Sequence, residues 1–192
     1  MPQSRQRVIF IGLRSDVFIK QRVSFPVPTH GTSNLLETTK KPFHTFRNAT
    51  GDLELLESGE KSATDEWHFA IKHPDHVIEM LKDVPEGKSA HDNQDPAKRP
   101  SSGFNTTYKR ICWDAPSSTI STNFSMISGS RNVHPLNTRS LTIREAMRCQ
   151  TFPDDFLLSG GLGEIRKGIG NAVPPYMAKV FAEFLTSEYL QD

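Results

Sequence analysis

Two arginines near the start of the 192-residue chain have the type and spacing needed to act on an anion. Arg5 and Arg7 lie two residues apart in the run Gln3-Ser4-Arg5-Gln6-Arg7. In an extended segment, side chains two positions apart point to the same side. Guanidinium groups bind phosphate through paired hydrogen bonds and stabilise negative charge that develops in a reaction. The spacing indicates either a functional pair or, as the plainer alternative, two surface arginines before a strand.

The cysteines and histidines do not complete a nucleophile or a metal site. Neither Cys112 nor Cys149 follows a proline in a flexible loop, so we interpret both thiols as structural. His68, His73 and His76 are spaced five and three apart, but no matching Cys or acid completes a zinc signature. We therefore expect no bound metal and interpret these histidines as ordinary polar residues.

The elements that would hold these residues follow from apolar periodicity and turn signals. Residues 8–13 are apolar on both faces, which predicts a strand buried in the middle of a sheet. Residues 25–135 are rich in Pro, Gly, Ser, Thr and Asn. A helix is predicted there over about 74–82, with short strands near 109–113 and 119–124.

Two further helices are predicted towards the end of the chain. Thr142 and Glu145 form a capping box, which starts a helix that runs to about Gln150 and stops before Pro153. The last helix follows a Gly-rich turn and begins near Pro175. Its apolar face consists of Met177, Val180, Phe181, Phe184 and Leu185.

Charge is distributed unevenly along a nearly neutral chain. The 23 Lys and Arg against 22 Asp and Glu give a net charge of +1, which excludes a polybasic or acidic disordered tail. Residues 1–22 and 98–110 each carry +4, whereas residues 52–66 carry −5. Such basic patches can meet phosphates, although solvated faces are the plainer interpretation. No apolar run approaches the ~20 residues that span a bilayer and no secretory signal opens the chain, so we expect a cytoplasmic protein without a membrane partner.

Four segments, in this order, resemble C-terminal motifs of DNA (cytosine-5) methyltransferases. The run of residues 3–7 and the strand after it resemble the eighth of the family's ten motifs, a Gln-x-Arg-x-Arg. Residues 113–120 resemble the Pro-x-x-Thr-Ile stretch late in the recognition domain. Residues 139–154 resemble the ninth motif, and Gly170-Asn171-Ala172-Val173-Pro174-Pro175 resembles the tenth.

The resemblance implies an α/β fold. It consists of the C-terminal part of a Rossmann-like, S-adenosylmethionine-dependent methyltransferase fold and a small, loop-rich, mainly β target recognition domain. Residues 1–24 would supply a strand of the catalytic domain, residues 25–135 the target recognition domain, and residues 136–192 the closing helices of the catalytic domain. Double-stranded DNA is the implied substrate, and a bacterial restriction-modification system is the implied setting.

The resemblance also implies roles for individual residues. Arg7 would contact O2 of the target cytosine, Arg5 would support the nucleotide and its pocket, and Gln3 would orient the same site. The residues implied to bind S-adenosylmethionine are Gly170, Asn171, Ala172 and Val173. The candidates for contact with DNA are Lys109, Arg110, Arg144 and Arg148.

Three catalytic motifs of the family do not occur between residues 1 and 192. They are the Gly-containing cofactor loop, the Pro-Cys whose thiolate attacks cytosine, and the Glu-Asn-Val that contacts the ring. We therefore expect the isolated chain to be inactive and to need an N-terminal half as a partner. Three hypotheses stay open: a subunit of a split enzyme, a catalytically inactive DNA-binding module or gene remnant, and a fragment of one continuous enzyme cut by a gene-calling error or a frameshift.

Overall fold

A computed structural model describes residues 1–16, 22–31 and 40–190 of the chain. The α-helices of this part are α1 (Phe46–Thr50), α2 (Asp75–Leu81), α3 (Ile143–Cys149), α4 (Leu162–Asn171) and α5 (Pro175–Tyr189). Two short 3₁₀ turns, Ala90–Asp92 and Pro96–Lys98, lie between α2 and α3. Turns and irregular segments make up the rest, so most of the described fold is built from loops.

Strand pairing in the described ranges is limited to isolated bridges. A parallel bridge between Gln3 and Ser117 joins the start of the chain to its middle. Val133 pairs with both Arg110 and Ser140, which draws three loops together. These bridges fix the relative positions of segments that no helix connects.

The strands predicted at 109–113 and 119–124 are wrong. Pairing over 109–113 stops after a single bridge. Over 119–124 the backbone turns on itself: the Phe124 amide donates to the Ser121 carbonyl at 3.2 Å, and the Asn123 amide donates to Ser121 Oγ at 3.3 Å. Ser, Thr and Asn side chains offer the backbone local partners that compete with a ladder. The described part of residues 25–135 is consequently loop-rich, as expected, but not mainly β.

Residues 8–13, predicted to form a buried strand, are unpaired and mostly exposed. The exposed fractions of Val8 and Phe10 are 79% and 91%. A strand buried on both faces needs neighbouring strands and a covering layer, and the described residues supply neither. The predicted strand is therefore not formed within this part of the chain.

Three predicted helices are confirmed. Helix α2 falls within 74–82, and α3 begins at the predicted capping box. There the Thr142 amide donates to Glu145 Oε2 at 2.9 Å, and the Glu145 amide donates to Thr142 Oγ1 at 3.2 Å. Helix α5 begins at Pro175, where the missing N–H costs no hydrogen bond. No residue of α5 is fully buried, and the residues of its apolar face are half-buried, so the described chain covers that face only in part.

Helices α1 and α4 are not predicted from the sequence. Helix α1 has a capping box in which the Thr45 amide donates to Asn48 Oδ1 and the Asn48 amide donates to Thr45 Oγ1. Asparagine is a weaker signal there than Glu or Gln. Helix α4 contains three glycines, which lower its intrinsic helix propensity. Burial of Ile165 and Ile169, one turn apart, stabilises it against the core instead.

Two clusters of buried apolar residues form the core. The larger one consists of Phe46, Ile111, Trp113, Ile120, Phe124, Leu141, Ile143, Ala146, Met147, Cys149, Ile165 and Ile169. The smaller one consists of Val77, Leu81, Val84, Ala90, Ile127 and Val133. The larger cluster draws on both 25–135 and 136–192, so the two predicted regions share one core.

A buried ion pair lies at the centre of this core. Arg139 is fully buried, and its Nη1 and Nη2 donate to the two carboxylate oxygens of Glu145 at 2.9 and 2.8 Å. Arg139 Nε donates to the Leu56 carbonyl at 2.6 Å. Burial alone would raise the pKa of Glu145, but the charge and hydrogen bonds of Arg139 outweigh it and lower that pKa to about 2.

His134 lies beside this pair as a neutral acceptor. Its Nδ1 accepts hydrogen bonds from the amides of Leu136 and Asn137 at 3.3 and 3.1 Å. Its ring packs edge-on against Phe46 and Trp113. Burial lowers the pKa of His134 to about 3, against the opposing effect of the Glu145 carboxylate.

The low pKa of His134 makes the fold sensitive to mild acid. Below a pH of about 6.5, the ordinary pKa of histidine, His134 binds a proton in the unfolded chain but stays neutral in the folded one. The free energy of unfolding therefore falls as the pH drops towards 3. Between pH 7 and pH 5 we expect His134 to account for a loss of about 1–2 kcal/mol in the free energy of unfolding. His134→Asn, which keeps an acceptor, should flatten the dependence measured by urea titration. An unchanged slope in the variant would contradict this account.

Candidate functional site

Gln3 is buried and joins the N-terminal segment to two other parts of the chain, the end of α3 and the loop at Ile120. Its Nε2 donates to the Cys149 carbonyl at 3.2 Å and to Gln150 Oε1 at 2.7 Å. Its Oε1 accepts from the Ile120 amide at 3.0 Å. Buried side-chain amides need all of these partners, because an unpaired one costs about 1–3 kcal/mol. Gln3 therefore fixes where the following arginines begin.

Arg5 is held by two backbone carbonyls. Its Nη1 donates to the carbonyls of Ile120 and Gly170, both at 2.9 Å. Burial and then the charge of Arg7 lower the pKa of Arg5 below its ordinary value, although an arginine stays protonated. In the described chain no carboxylate pairs with this guanidinium, so its charge is met only by dipoles.

Arg7 is exposed at the mouth of a cleft of about 390 Å³. One of its N–H groups donates to the Gln6 carbonyl at 2.6 Å. No other side chain among the described residues binds it, which leaves most of its guanidinium available to a ligand. The cleft is lined by Arg5, Arg7 and residues 8–11 on one side, and by residues 171–174 and one face of α5 on the other.

Residues 170–173 divide between the cleft and the interior. Asn171, Ala172 and Val173 line the cleft. Gly170 lies behind it, where a Cβ would stand 2.5 Å from the Ser121 carbonyl carbon and still closer to the Thr122 amide nitrogen. The close approach at Gly170 is therefore to the chain's own backbone.

Gln150, to which the sequence reasoning assigned no role of its own, connects these parts. It is fully buried at the C-terminal end of α3. Its Oε1 accepts from Gln3, and its Nε2 donates to the Ile169 carbonyl at 2.6 Å. Gln3, α3 and the end of α4 are thereby held in one hydrogen-bonded unit behind the cleft. The sequence indicates this role of Gln150 only by its position at the end of the capping-box helix.

Arg110, a candidate for DNA contact, has its guanidinium inside the protein. Its Nη1 donates to the carbonyls of His134 and Asn137 at 2.9 and 3.0 Å. Its Nη2 donates to the Leu81 carbonyl at 2.8 Å and to Thr138 Oγ1 at 2.9 Å. Burial lowers the pKa of Arg110. In this structure Arg110 joins loops, whereas its neighbour Lys109 is half-buried at the surface.

Arg144 and Arg148, the other DNA candidates, are occupied by ion pairs. Arg144 Nε contacts Asp65 at 2.6 Å, and Arg148 contacts both Asp52 and Asp154 at 2.6 Å. The hydrogen bonds that Arg148 donates to Asp154 and Asp52 raise its pKa. These pairs attach the acidic segment 52–66 to α3 and leave little of either guanidinium for a phosphate.

Cys149, His68 and His73 have structural surroundings. Cys149 is buried, and burial raises the pKa of its thiol to about 12, so it is not a thiolate at neutral pH. His68 hydrogen-bonds Thr142 Oγ1 and the Glu54 carbonyl. His73 Nε2 accepts from the Ser140 amide at 3.1 Å. These contacts agree with the interpretation of the residues as structural.

The cleft combines cationic and apolar chemistry. Two guanidiniums without an acidic partner favour a ligand that carries or develops negative charge. The Asn171 amide can donate and accept hydrogen bonds, and the surrounding apolar side chains exclude water. No carboxylate lines the cleft in the part of the chain that the structure describes. The residues present therefore suit one side of a larger site.

A family model described as C-5 cytosine-specific DNA methylase matches residues 1–187 of the chain.

The chain belongs to this family of C-5 cytosine-specific DNA methylases. It is similar to the type II methyltransferase M1.HphI of Haemophilus parahaemolyticus, with 31% identity over 183 residues that cover 95% of the chain. It is also similar to M.BbvI of Brevibacillus brevis, with 32% identity over 187 residues and 95% coverage. With M1.HgaI of Avibacterium volantium it shares 33% identity over 154 residues, which cover 72% of the chain.

The chain spans less than half of these methylases, since its matches cover 44% of M1.HphI, 44% of M.BbvI and 43% of M1.HgaI. None of the described helices has the length and apolar character of a membrane span. C-5 DNA methylases as a family use S-adenosylmethionine as the methyl donor.

The tight contact at Gly170 gives a prediction with a matched control. Gly170→Ala would press a methyl group into the Ser121–Thr122 backbone, so we expect it to lower the free energy of unfolding by at least roughly 1–3 kcal/mol. Gly168 lies in the same helix with open space around it, and Gly168→Ala should raise stability by about 0.5–1 kcal/mol. Urea titration of both variants measures the difference. Equal effects would show that the contact is not made in solution.

Proposed function

We propose that this chain is the part of a cytosine-5 DNA methyltransferase that recognises a DNA site and completes the pockets for the target cytosine and the methyl donor. The reaction moves a methyl group from S-adenosylmethionine to C5 of a cytosine turned out of duplex DNA. The catalytic thiolate and most of the cofactor site come from the N-terminal portion of the enzyme. The observation that carries the proposal is the cleft that Arg7 shares with Asn171, Ala172 and Val173.

The different environments of the two arginines support different roles. Arg5 is fixed by the Ile120 and Gly170 carbonyls, which suits support of the pocket wall. Arg7 is exposed in the cleft with most of its N–H groups unbound, which suits direct contact with the substrate. Attack on C6 pushes negative charge into the cytosine ring, and a guanidinium at O2 stabilises that charge. Gln3 acts indirectly, because it holds the segment that carries both arginines.

The cofactor role assigned to residues 170–173 divides in the same way. Asn171, Ala172 and Val173 can contact S-adenosylmethionine directly because they line the cleft. Gly170 contributes by letting the Ser121–Thr122 backbone pass close behind it. A carboxylate for the ribose hydroxyls would come from the N-terminal portion, since none lines this cleft within the described residues.

The uncovered apolar surface supports a protein partner in the form of that N-terminal portion. Residues 8–13 are apolar, unpaired and mostly exposed, and α5 has no buried residue. Both elements border the same cleft. In a parallel sheet covered by helices, residues 8–13 would pair with a neighbouring strand and α5 would be buried. The relatives contain more than half of their length outside the region matched by this chain.

Arg7 provides the direct test of catalytic contribution. In a preparation where this chain is combined with a polypeptide that carries the Pro-Cys and Glu-Asn-Val motifs, Arg7→Ala should lower the rate of methyl transfer by roughly 10²–10³-fold. Incorporation of radiolabelled methyl groups into DNA measures the rate. Arg14→Ala removes an exposed arginine that is already paired with Asp16, and it should leave the rate unchanged.

Three outcomes of this assay bear on the proposal. Methyl transfer by the isolated chain would contradict the division of the active site between two portions. A normal rate for Arg7→Ala in the combined preparation would contradict the role of Arg7. Binding of DNA without methyl transfer in any combination would favour a catalytically inactive DNA-binding module. The genomic sequence upstream of codon 1 identifies the polypeptide to be combined.

A further inference from the structure

The loop before Val133 bulges outwards at a defined point. The Tyr108 amide donates to the Ser128 carbonyl at 3.2 Å, and the Val133 amide donates to the Lys109 carbonyl at 2.9 Å. The adjacent residues Tyr108 and Lys109 therefore bind Ser128 and Val133, which are five positions apart in the sequence. The four residues between them, 129–132, form a bulge anchored at both ends.

Arg131 carries the exposed side chain of this bulge, since the other exposed residue, Gly129, has no side chain. Its neighbours Ser130 and Asn132 are 5% and 0% exposed, whereas Arg131 itself is exposed. The Asn132 side chain donates to the Thr119 carbonyl at 3.2 Å, and the Asn132 amide donates to Ser130 Oγ at 3.3 Å. A single arginine is thus presented to solvent from a backbone that is fixed on both sides.

The backbone at Arg131 is in a strained conformation. Its φ is +56°, a left-handed region that residues other than glycine adopt at a cost of about 1–3 kcal/mol. Within the described chain, no hydrogen bond or ion pair to the Arg131 side chain offsets this cost. Glycine would satisfy the turn without strain. Strained backbone of this kind is concentrated at sites of ligand recognition. Arginine at this position therefore indicates contact with an external partner.

The electrostatic surroundings identify the charge of that partner. Residues 96–144 contain a single acid, Asp114, and seven Lys and Arg, of which Arg110, Arg139 and Arg144 are already bound by other groups of the chain. Asp114 is itself paired with Arg47 at 2.7 Å. The half-buried side chain of Lys109 lies on the segment that anchors the bulge. Among the described residues, no carboxylate forms an ion pair with the Arg131 guanidinium or the Lys109 ammonium, and such cations suit a polyanion such as duplex DNA.

We propose that Arg131 reads a base in the major groove, through paired hydrogen bonds to O6 and N7 of guanine, and that Lys109 contacts a neighbouring phosphate. Arginine is suited to guanine because its planar fork matches these two acceptors. Anchoring of the bulge reduces the entropy lost when the side chain is ordered on DNA. The inference rests on the proposed function, because it takes the substrate to be duplex DNA.

The test uses the full chain and a fluorescent pool of duplex DNA with a randomised core. Wild-type protein selects its preferred sequences from this pool, and anisotropy measures affinity for them. Arg131→Gly should bind the selected duplex roughly 10- to 100-fold more weakly and lose the preference for guanine at one position. Its unfolding midpoint should rise rather than fall, because glycine adopts this φ without the strain. Arg131→Lys should keep affinity for unselected DNA and lose the guanine preference.

Two lysine variants separate phosphate contact from general charge. Lys109→Ala should weaken binding to all sequences about equally and reduce the salt slope of log K by about 1. Lys72→Ala removes the same charge beside Gly59 in the acidic segment, and it should leave binding unchanged.

The outcomes distinguish this inference from the proposed function. If Arg131→Gly selects the same sequences as wild type with the same affinity, Arg131 does not read DNA, although the proposed function stands. If the wild-type chain binds no duplex even at low salt, DNA recognition by this chain is overturned and the role of Arg131 with it.

Discussion

The buried ion pair between Arg139 and Glu145 is the constraint on which the rest of this structure depends. A fold made mostly of loops has no sheet to set the distances between its parts. Here Arg139 connects the Leu56 carbonyl to the first turn of α3, and Glu145 caps that same turn through the Thr142 amide. Removal of either charge would leave the other buried and unpaired, at a cost of about 3–5 kcal/mol. The pair therefore fixes the position and direction of α3.

Helix α3 transmits this position to the candidate site. At its far end Gln150 holds Gln3 and the last turn of α4. Gln3 sets the segment that carries Arg5, and Arg5 in turn binds the carbonyl that precedes Asn171. The segments that resemble the eighth, ninth and tenth motifs of the methylase family are thus joined here by side-chain amides and backbone carbonyls. This arrangement leaves Arg7 exposed at the cleft, while its supports are buried.

Local patterns made part of this structure predictable from sequence, and long-range contacts hid the rest. The capping box at Thr142 and the proline at the start of α5 act within one helical turn, so the sequence located both helices correctly. Gly170 was expected to approach a ligand, but its close neighbour is a turn almost fifty residues earlier. Arg144 looked like a DNA contact because its acidic partners Asp65 and Asp154 are distant in sequence or beyond the helix. Charge patterns identify basic residues but not the carboxylates that fold onto them.

We propose that the chain fixes its side of the cleft by itself, and that an N-terminal portion of the enzyme would cover residues 8–13 and α5. Hydrogen–deuterium exchange on the chain alone, and then on the combined enzyme, tests this most directly. We expect slow exchange over α3 in both samples, and exchange over residues 8–13 that is fast in the chain alone and slow in the combined enzyme. Residues 8–13 that are protected in the chain alone, or that stay unprotected in an active combined enzyme, would contradict the claim.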